Sequence, residues 1–404
     1  MASQSDRDIL VVGMSQAEDR RTYTLAILIF VQMLPATLLT PAVRPLFAAL
    51  HGGAEGPMHA FMSLNMLGAA VAAPCIGALA DRRADRGRIL AGLAGLDALL
   101  LVLLPLPLPS VAVLALRTLE GGAHVGSATL LIAEMAARGA RGGRTMGLAG
   151  AAIMAAVAAG GALGGVLLVF GVGAPFRGAA LLAAAVAIAG PRQFVSEAEP
   201  HARVPLREIV RMARSLAVPL GAVFASRFSV GCLIVTFALL AHARHGLDDT
   251  TVGILYSTLT VPFALATYPA ARLGARVPPA LLLGGGAVVW GASLAALGWA
   301  PTWALFPTMA IAGLASAAMF APILVYAAAL PGGRATAMAM VNAAGSLGML
   351  LGPAAAGITI EVLKRTRPAA EAYRGPFPLA AAAVALWLVL ALPWIVREAR
   401  AFKS

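Results

Sequence analysis

Four ionisable side chains in the first half of the chain have the chemistry that proton transfer needs. Arg117, Glu120 and His124 are spaced i, i+3 and i+7, so a helix places them on one face. Glu and His side chains can each gain and lose a proton, and a neighbouring Arg stabilises the charged form of a carboxylate. Asp97 is an acid in another apolar segment, at a depth comparable to that of His124. Together these residues could form a proton path.

The same residues allow two other interpretations. Arg117 could form a static buried ion pair with Glu120 or Asp97 that only fixes how the helices pack. The acids could instead contact a cationic substrate. The sequence alone leaves all three roles open.

A second group of polar residues is placed to contact a small solute. Arg227 lies in an apolar run of the second half, where the only acid in the apolar runs is Glu361, at the very end of one of them. Its partner could be an anionic substrate, Asp97 or Glu120 across an interface, or backbone carbonyls. Polar side chains in other apolar runs are candidate cavity liners. They are Gln32, Thr37, Tyr256, Ser257 and Asn342.

Helices in a membrane must carry these residues. Hydrophobic residues make up 60% of the 404 positions and charged residues 12%, whereas soluble domains carry about 25% charged residues. Apolar runs of about 20 residues lie between the charged clusters, and this length crosses a bilayer. Long runs rich in Ala, Leu and Gly predict helices rather than a β-barrel. The predicted spans are 23–49, 57–80, 89–107, 110–135, 144–170, 175–191, 215–242, 251–272, 278–299, 303–329, 335–361 and 377–396.

The twelve spans divide into two six-helix bundles. A polar linker, 191–214, separates an N-terminal half, 1–190, from a C-terminal half, 215–404. In each half a Gly-Arg pair precedes a glycine-rich segment, Gly160–Gly165 in the fifth span and Gly352–Gly357 in the eleventh. Such a repeat is typical of carriers whose substrate site lies between two halves. We therefore predict an all-α integral membrane protein with two pseudo-symmetric bundles.

The charges predict an orientation. Lys and Arg are concentrated before the first span, in alternate loops and in the linker 191–214. By the positive-inside rule these segments and both termini are cytoplasmic, in a bacterial-style inner membrane. The segment Lys364–Arg374 is the exception, because its basic residues fall on the other side. The polar N-terminal residues contain no apolar core, so we predict no cleavable signal peptide.

The loop between the second and third spans carries a motif. It reads Gly77-Ala78-Leu79-Ala80-Asp81-Arg82-Arg83-Ala84-Asp85-Arg86-Gly87-Arg88 and resembles the signature loop of the major facilitator superfamily. Ala84 stands where that family usually has Gly, and Gly87-Arg88 is displaced. Gly77 permits close helix approach and Asp81 can pair with basic groups at a helix end. Gly77, Asp81, Arg82 and Arg88 are therefore a candidate conformational latch, unless the arginines serve topology alone.

Two further segments carry the same resemblance. Arg117–Ala123 is similar to the family's fourth-helix motif, in which the Arg is associated with proton coupling, but Glu120 stands where Gln is common. Gly160–Gly165 is similar to the family's antiporter motif, with Gly161 in place of Pro. The resemblance implies export by antiport, whereas the residues alone also fit ordinary helix packing. The candidate packing positions are Gly160, Gly161, Gly164, Gly165, Gly352 and Pro353.

We therefore expect a secondary transporter that couples protons to efflux of a small organic solute, such as a drug, siderophore or metabolite. Proton-coupled uptake of a metabolite or metal chelate is one alternative, and a transport-inactive receptor or assembly partner is another. No phosphate loop, metal-ligand spacing or nucleophile elbow occurs, so we expect no enzyme, metal or cofactor. Membrane orientation explains the net charge of +12 better than nucleic acid does. The expected partners are the solute, protons and the lipid bilayer, and we expect a monomer.

Overall fold

A computed structural model describes residues 4–51, 55–82, 85–138, 142–194, 206–274, 276–329 and 334–401. The described residues form helices and short connections and contain no strand. A short 3-10 turn, Gly190–Gln193, follows the eighth helix. In chain order the α-helices are α1 (Gln4–Met33), α2 (Pro35–Leu38), α3 (Thr40–His51), α4 (Glu55–Arg82), α5 (Arg86–Leu103), α6 (Ser110–Ala137), α7 (Gly142–Leu168), α8 (Ala174–Ala189), α9 (Leu206–Ser215), α10 (Ala217–His245), α11 (Asp249–Leu273), α12 (Pro279–Leu297), α13 (Thr302–Ala329), α14 (Arg334–Lys364), α15 (Ala369–Ala372) and α16 (Pro376–Ala401).

These helices form the predicted twelve-span membrane fold, which is confirmed. The broken helix α1–α3 makes the first span, α4 to α8 the next five, α10 to α14 the seventh to eleventh, and α16 the twelfth. Among the described residues, ten of these spans are long and apolar enough to cross a bilayer. The other two, α5 and α6, are more polar because they carry charged residues that include Asp97, Arg117 and Glu120. The spans least suited to lipid are therefore those that hold the candidate proton path.

An even number of spans puts both termini on one side of the membrane, here called the terminal side. The helices α4, α6 and α13 end there, while α7, α10 and α14 begin there. The far end of α14 therefore lies on the opposite side, where Lys364 pairs with Glu361 at 3.4 Å. The Lys364 amine also lies 5.5 Å from the ring centre of Tyr373. The basic segment that departs from the positive-inside pattern thus lies on the opposite side, as its place in the sequence predicts.

The first span is broken near its middle. Pro35 begins α2 directly after α1 ends, because proline has no N–H with which to continue the helical hydrogen bonds. The Thr37 hydroxyl of α2 donates to the Val157 carbonyl of α7 at 3.0 Å. The break therefore brings the first span against the fifth.

Two glycines of α7 make this contact close. A Cβ added at Gly160 or Gly164 would overlap atoms of α2. At Gly161 and Gly165 a Cβ would meet no atom within 4 Å. In contrast to the sequence-based prediction, Gly161 and Gly165 have no packing neighbour among the described residues, because they lie on an open face of α7.

The helix α14 repeats this packing in the second half. A Cβ at Gly352 would overlap the Phe228 carbonyl oxygen of α10, and Pro353 lies against Gly231 of the same helix. The eleventh span thus packs on the seventh as the fifth packs on the first. This correspondence is what two halves related by an internal repeat should show.

The linker helix α9 docks onto the second half. Its Met212, together with the adjacent Leu216, is buried against Ala337 near the start of α14. Residues 195–205 of the predicted linker lie outside the described residues. The linker helix α9 is therefore attached to the C-terminal bundle, whereas residues 191–194 of the linker stay with the N-terminal half, where the Gln193 carbonyl accepts from Arg138.

The two halves touch on the terminal side and separate on the opposite side. A Cβ at Gly147 of α7 would lie 2.6 Å from the Cβ of Ala271 in α11, so these helices are in close contact. Gly165 and Gly253 lie about five helical turns further along the same faces of α7 and α11. A Cβ at either position would meet nothing within 4 Å. The space between α7 and α11 is therefore closed on the terminal side and open towards the opposite side.

Two further contacts join the halves on the terminal side. The Asn342 amide of α14 donates to the Thr129 hydroxyl of α6 at 2.7 Å. A Cβ at Gly150 of α7 would lie 2.7 Å from Thr267 Cγ2 and 3.4 Å from Phe320 Cε1. Each of these contacts joins the two halves, so each must separate before the terminal side can open.

Candidate functional site

The candidate site is a buried polar cluster that α1, α5 and α6 hold inside the N-terminal half. Asp97 of α5 faces His124 of α6, with 3.0 Å between Asp97 Oδ2 and His124 Nδ1. Gln32 of α1 donates from Nε2 to the same carboxylate oxygen at 3.1 Å. Its Nε2 also lies 3.3 Å from His124 Nδ1, and all three side chains are buried. Three helices therefore meet at one carboxylate oxygen.

Arg117 and Glu120 form an ion pair on the same face of α6. The distance between Arg117 Nη1 and Glu120 Oε2 is 2.5 Å, and both side chains are buried. The Arg117 guanidinium lies 4.7 Å from the ring centre of Phe61 in α4. The Asn65 side chain, also in α4, interacts with the Glu120 carboxylate. The i, i+3 spacing produces the pair, and α4 covers it.

Glycines allow α4 to cover the pair so closely. A Cβ at Gly121, next to Glu120, would overlap the Asn65 carbonyl oxygen. A Cβ at Gly68 of α4 would overlap the Thr118 carbonyl oxygen of α6. The backbones of α4 and α6 are therefore in direct contact, as small residues permit in membrane helices. The contact shields the polar face of α6 from lipid.

The cluster holds several titratable groups and an unbalanced charge. Side-chain oxygen and nitrogen atoms of Asp97, Glu120 and His124 lie within 4.8 Å of one another. When both carboxylates are ionised and His124 is neutral, Arg117 cancels one negative charge and one remains. A net charge is costly to hold in a buried site. Uptake of a single proton makes the cluster neutral, so the arrangement can bind and release one proton.

The same three side chains are of the types that bind divalent metal ions. In this cluster the Arg117 guanidinium already occupies Glu120 Oε2 and supplies the positive charge that a metal ion would bring. The set of groups therefore fits a proton better than a metal ion.

Several polar atoms of the cluster have no hydrogen-bond partner among the described residues. They are Asp97 Oδ1, His124 Nε2, Gln32 Oε1, Arg117 Nε and Asn65 Oδ1. Buried polar groups are normally hydrogen-bonded, and a static ion pair is stable only when its remaining donors and acceptors are bonded too. These atoms can therefore take part in further hydrogen bonds.

Three of the predicted cavity liners have other roles in this conformation. Gln32 belongs to the buried cluster and is 0% exposed. Thr37 bonds to the Val157 carbonyl of α7, and Asn342 bonds to Thr129 across the two halves. Their polar groups are directed to protein partners rather than to a cavity, because each faces a neighbouring helix.

The other two predicted liners lie on α11. The Tyr256 hydroxyl donates to the Ile234 carbonyl of α10 at 2.7 Å, so it joins two helices of the second half. Ser257 is exposed, and its hydroxyl donates within its own helix to the Gly253 carbonyl at 3.1 Å. Because Gly253 lies on the open face of α11, Ser257 borders the open space between the halves.

Arg227 of α10 is partly buried. Its guanidinium lies over the ring of Phe320 in α13, 5.4 Å from the ring centre. Asp97 and Glu120, the two acids considered as its partners, pair instead with His124 and Arg117.

The structure places the predicted latch residues as follows. Gly77 is buried in α4. Asp81 and Arg82 end α4, and their side chains lie outside the described residues. Arg88 pairs with Asp85 at 2.8 Å, and both side chains are exposed. In contrast to the sequence-based prediction, Arg88 makes a local pair rather than a link between helices, because Asp85 lies less than one turn away.

Other residues of this loop make its inter-element contacts. The Arg86 Nε donates to the Ala80 carbonyl at 3.0 Å. This bond gives a partner to a carbonyl in the last turn of α4, where the helix itself supplies none. A Cβ at Gly87 would lie 3.1 Å from the Pro191 carbonyl oxygen, so this glycine allows the loop to lie against the turn after α8.

Sequence reasoning missed two residues at the site and one buried acid further along α6. Asn65 and Phe61 contact the Arg117–Glu120 pair only because α4 packs on α6, and no local pattern indicates this. Glu134 of α6 is a missed buried acid, which accepts from Arg138 Nη2 at 2.9 Å. Its i, i+4 spacing from Arg138 is a signal that could have found it.

We expect the Asn342–Thr129 hydrogen bond to help hold the terminal side closed. Loss of such a bond costs about 1 kcal/mol, which shifts an equilibrium about fivefold. Asn342→Ala and Thr129→Val should each increase the population in which the opposite side is closed. Spin labels at Gly165→Cys and Gly253→Cys, in a background without the two native cysteines, would report this as a shorter inter-label distance.

The double variant shows whether the two substitutions act through the one hydrogen bond they share or act independently. If the bond is the cause, the combined Asn342→Ala and Thr129→Val changes should shift the distances no further than either change alone. Ser257→Ala is the matched control, because that hydroxyl bonds within its own helix. Additive shifts would contradict the role assigned to this bond.

The fold and the repeat have counterparts among known proteins. The sequence profile of the Major Facilitator Superfamily matches residues 25–218 and again residues 219–403. The boundary between the two matches lies at the start of α10, where the second half begins. A search of curated protein sequences gives no significant match.

Two solved structures share the fold over nearly the whole chain. The human organic anion transporter MFSD10 (TETRAN) is 18% identical, with a TM-score of 0.75 over 92% of this chain and 99% of that chain. A mutant of the nucleoside transporter NupG is 14% identical, with a TM-score of 0.64 and the same coverage. At these identities the likeness concerns the fold.

Proposed function

Because this chain belongs to the major facilitator superfamily and is a membrane transporter, we propose that it couples proton entry to the efflux of a small organic solute. The observation that carries this proposal is the buried cluster of Asp97, Arg117, Glu120 and His124, whose charge one proton balances. The free donor and acceptor atoms of the cluster support exchange of that proton.

The helix α6 can connect the proton site to the opening of the carrier. It holds Arg117, Glu120 and His124, and about one and a half turns further it holds Thr129. Thr129 accepts the hydrogen bond from Asn342 that joins the two halves on the terminal side. A proton-dependent shift of α6 therefore acts directly on the contact that must break when the terminal side opens. Coupling between the proton site and the opening of the carrier requires such a contact, one that is made in one state and broken in the other.

The proposed orientation makes the terminal side cytoplasmic. Support comes from basic residues there, such as Arg138, Arg144 and Arg192, which follow the positive-inside rule. The carrier in this structure then opens outward, and the membrane is the inner membrane of a bacterial-type cell.

Efflux is supported by the similarity of Gly160–Gly165 to an antiporter motif and by the tight packing of two of its glycines on α2. Uptake would use the same cluster in the reverse direction. The two solved relatives are described as carriers of organic anions and of nucleosides. Their solutes differ in chemistry, so the substrate class must be sought in this chain's own residues.

Transport in inverted membrane vesicles tests the direction. A thermal-shift panel of organic anions, cations and neutral solutes on the purified protein would select the solute. Vesicles loaded with acid should then accumulate it as protons leave, and the accumulation should collapse when a protonophore removes the gradient. Accumulation only under the reverse gradient would establish uptake, and flux that ignores the gradient would contradict proton coupling.

A further inference from the structure

The second half contains an arginine that the proton cluster does not use. Arg227 lies on α10 about 15 Å along the helix from its start at Ala217, which places it near the middle of a hydrocarbon core about 30 Å thick. A charged side chain at this depth is costly and normally faces a partner or a water-filled cavity.

Among the described residues, Arg227 has neither an ion-pair partner nor a hydrogen-bond acceptor. Its guanidinium carbon lies 5.4 Å from the centre of the Phe320 ring. The residue as a whole is only partly buried. The guanidinium has five N–H donors in a planar fork that matches a carboxylate. The fork is therefore available to an anion that comes from outside the chain.

The neighbouring helices leave room for the Arg227 stem. A Cβ at Gly345 of α14 would lie 3.5 Å from Arg227 Cγ, and a Cβ at Gly348 would lie 3.0 Å from Arg227 Cβ. An added Cβ at Gly348 would crowd the side chain, whereas one at Gly345 would make an ordinary contact with it. The two glycines thus let the stem lie along α14 while the guanidinium reaches Phe320.

The ring that lies beside the guanidinium is itself packed against a second ring. Phe320 packs edge-to-face on Phe263 of α11, with 5.8 Å between ring centres. On the helix of Arg227 itself, Phe228 stacks on Phe224 at 6.1 Å. A cation beside the Phe320 ring, with Phe263 packed on that ring, suits a ligand with one anionic group and an apolar or aromatic body.

The position of Phe320 also fits a substrate site. Its ring meets Gly150 of α7 at the contact that closes the terminal side. Arg227 therefore lies next to the closed contact between the halves, at the depth where a carrier holds its solute before it changes state.

We propose that Arg227 binds the carboxylate of the transported solute, and that the solute is an aryl or otherwise apolar carboxylate. This inference rests on the proposed transport function and names its substrate class. The proton cluster and the carboxylate site then lie in different halves, so one half binds the proton and the other binds the solute.

Equilibrium binding to the purified protein in detergent tests this proposal. The probes are 1-naphthoate, which is anionic, and 1-naphthamide, which has the same ring and no charge. The wild-type protein should bind 1-naphthoate more tightly. Arg227→Gln should weaken its binding at least about tenfold, the usual effect of losing a charge-assisted bond, and leave 1-naphthamide unchanged. Arg177→Gln is the matched control, because Arg177 is exposed in the first turn of α8.

Arg227→Lys keeps the proposal testable if the Gln variant does not fold. Lys retains the charge and loses the fork, so it should weaken 1-naphthoate binding several-fold and spare 1-naphthamide. Equal binding of the two probes by the wild type, or unchanged 1-naphthoate binding in a folded Arg227 variant, would overturn the proposal. If Arg227 governs binding but flux ignores the pH gradient, the carboxylate site stands and proton coupling fails.

Discussion

Replacing Glu120 by Gln is expected to abolish proton-driven accumulation of solute while solute exchange continues. Gln keeps the size of the side chain and can still accept a hydrogen bond from Arg117. It removes one negative charge, so the cluster is neutral without a bound proton. The variant should therefore behave as a permanently protonated carrier that changes state with no proton to move.

The size of the effect follows from the gradient. One pH unit is worth about 1.4 kcal/mol per proton, which supports about tenfold accumulation. In vesicles with an imposed gradient of one unit, Glu120→Gln should lose this factor completely and keep exchange of external for internal solute. Glu361→Gln is the control, because Glu361 is an exposed acid paired with Lys364 at the far end of α14.

Thermal unfolding of the same variants distinguishes a role of Glu120 in proton coupling from a purely structural role. If Arg117 and Glu120 were only a static pair, Glu120→Gln would lower the melting temperature and leave gradient-driven accumulation unchanged. That combination would contradict the proton role of Glu120.

Gly164→Ala is expected to destabilise the protein, whereas Gly165→Ala is not. The added methyl at Gly164 would overlap the Leu38 carbonyl oxygen, so α7 must move away from the first span. Overpacking of this kind typically costs about 1–3 kcal/mol. At Gly165 the methyl meets nothing within 4 Å, and Ala favours a helix by about 1 kcal/mol relative to Gly.

Melting temperatures in one detergent compare the two variants directly. The internal repeat predicts the same contrast in the second half, where Gly352→Ala should destabilise and Gly357→Ala should not, because a Cβ at Gly357 meets nothing within 4 Å. Equal melting temperatures for the Gly164 and Gly165 variants would contradict the close contact between α7 and the first span.

The architecture was largely predictable because bilayer thickness sets the length of every span. Apolar runs locate the twelve helices, and the glycine repeat indicates that the halves correspond. The break at Pro35 divides one continuous apolar run, and run length alone does not show that this break brings α2 onto α7. The open face at Gly161 and Gly165 depends on how far the halves separate on the opposite side, which is a property of the conformation rather than of local sequence.

The site was predictable where its residues share one helix. The i, i+3 and i+7 spacing gives the face of α6, and the pairing of Arg117 with Glu120 follows from it. The role of Gln32 was not predictable, since it depends on α1 passing beside both α5 and α6. Asn65 gave no signal for the same reason. The partners of Thr37 and Tyr256 likewise lie on other helices. The sequence therefore does not distinguish a hydroxyl that bonds to a neighbouring helix from one that lines a cavity.

Proton movement measured during solute transport tests the central claim most directly. Proteoliposomes that contain the wild-type protein and a trapped pH-sensitive dye would receive the solute selected by thermal shift, with no imposed gradient. Solute flux in one direction should drive protons in the other, and Glu120→Gln should carry out exchange with no change in internal pH. Solute flux by the wild type without proton movement would contradict the account.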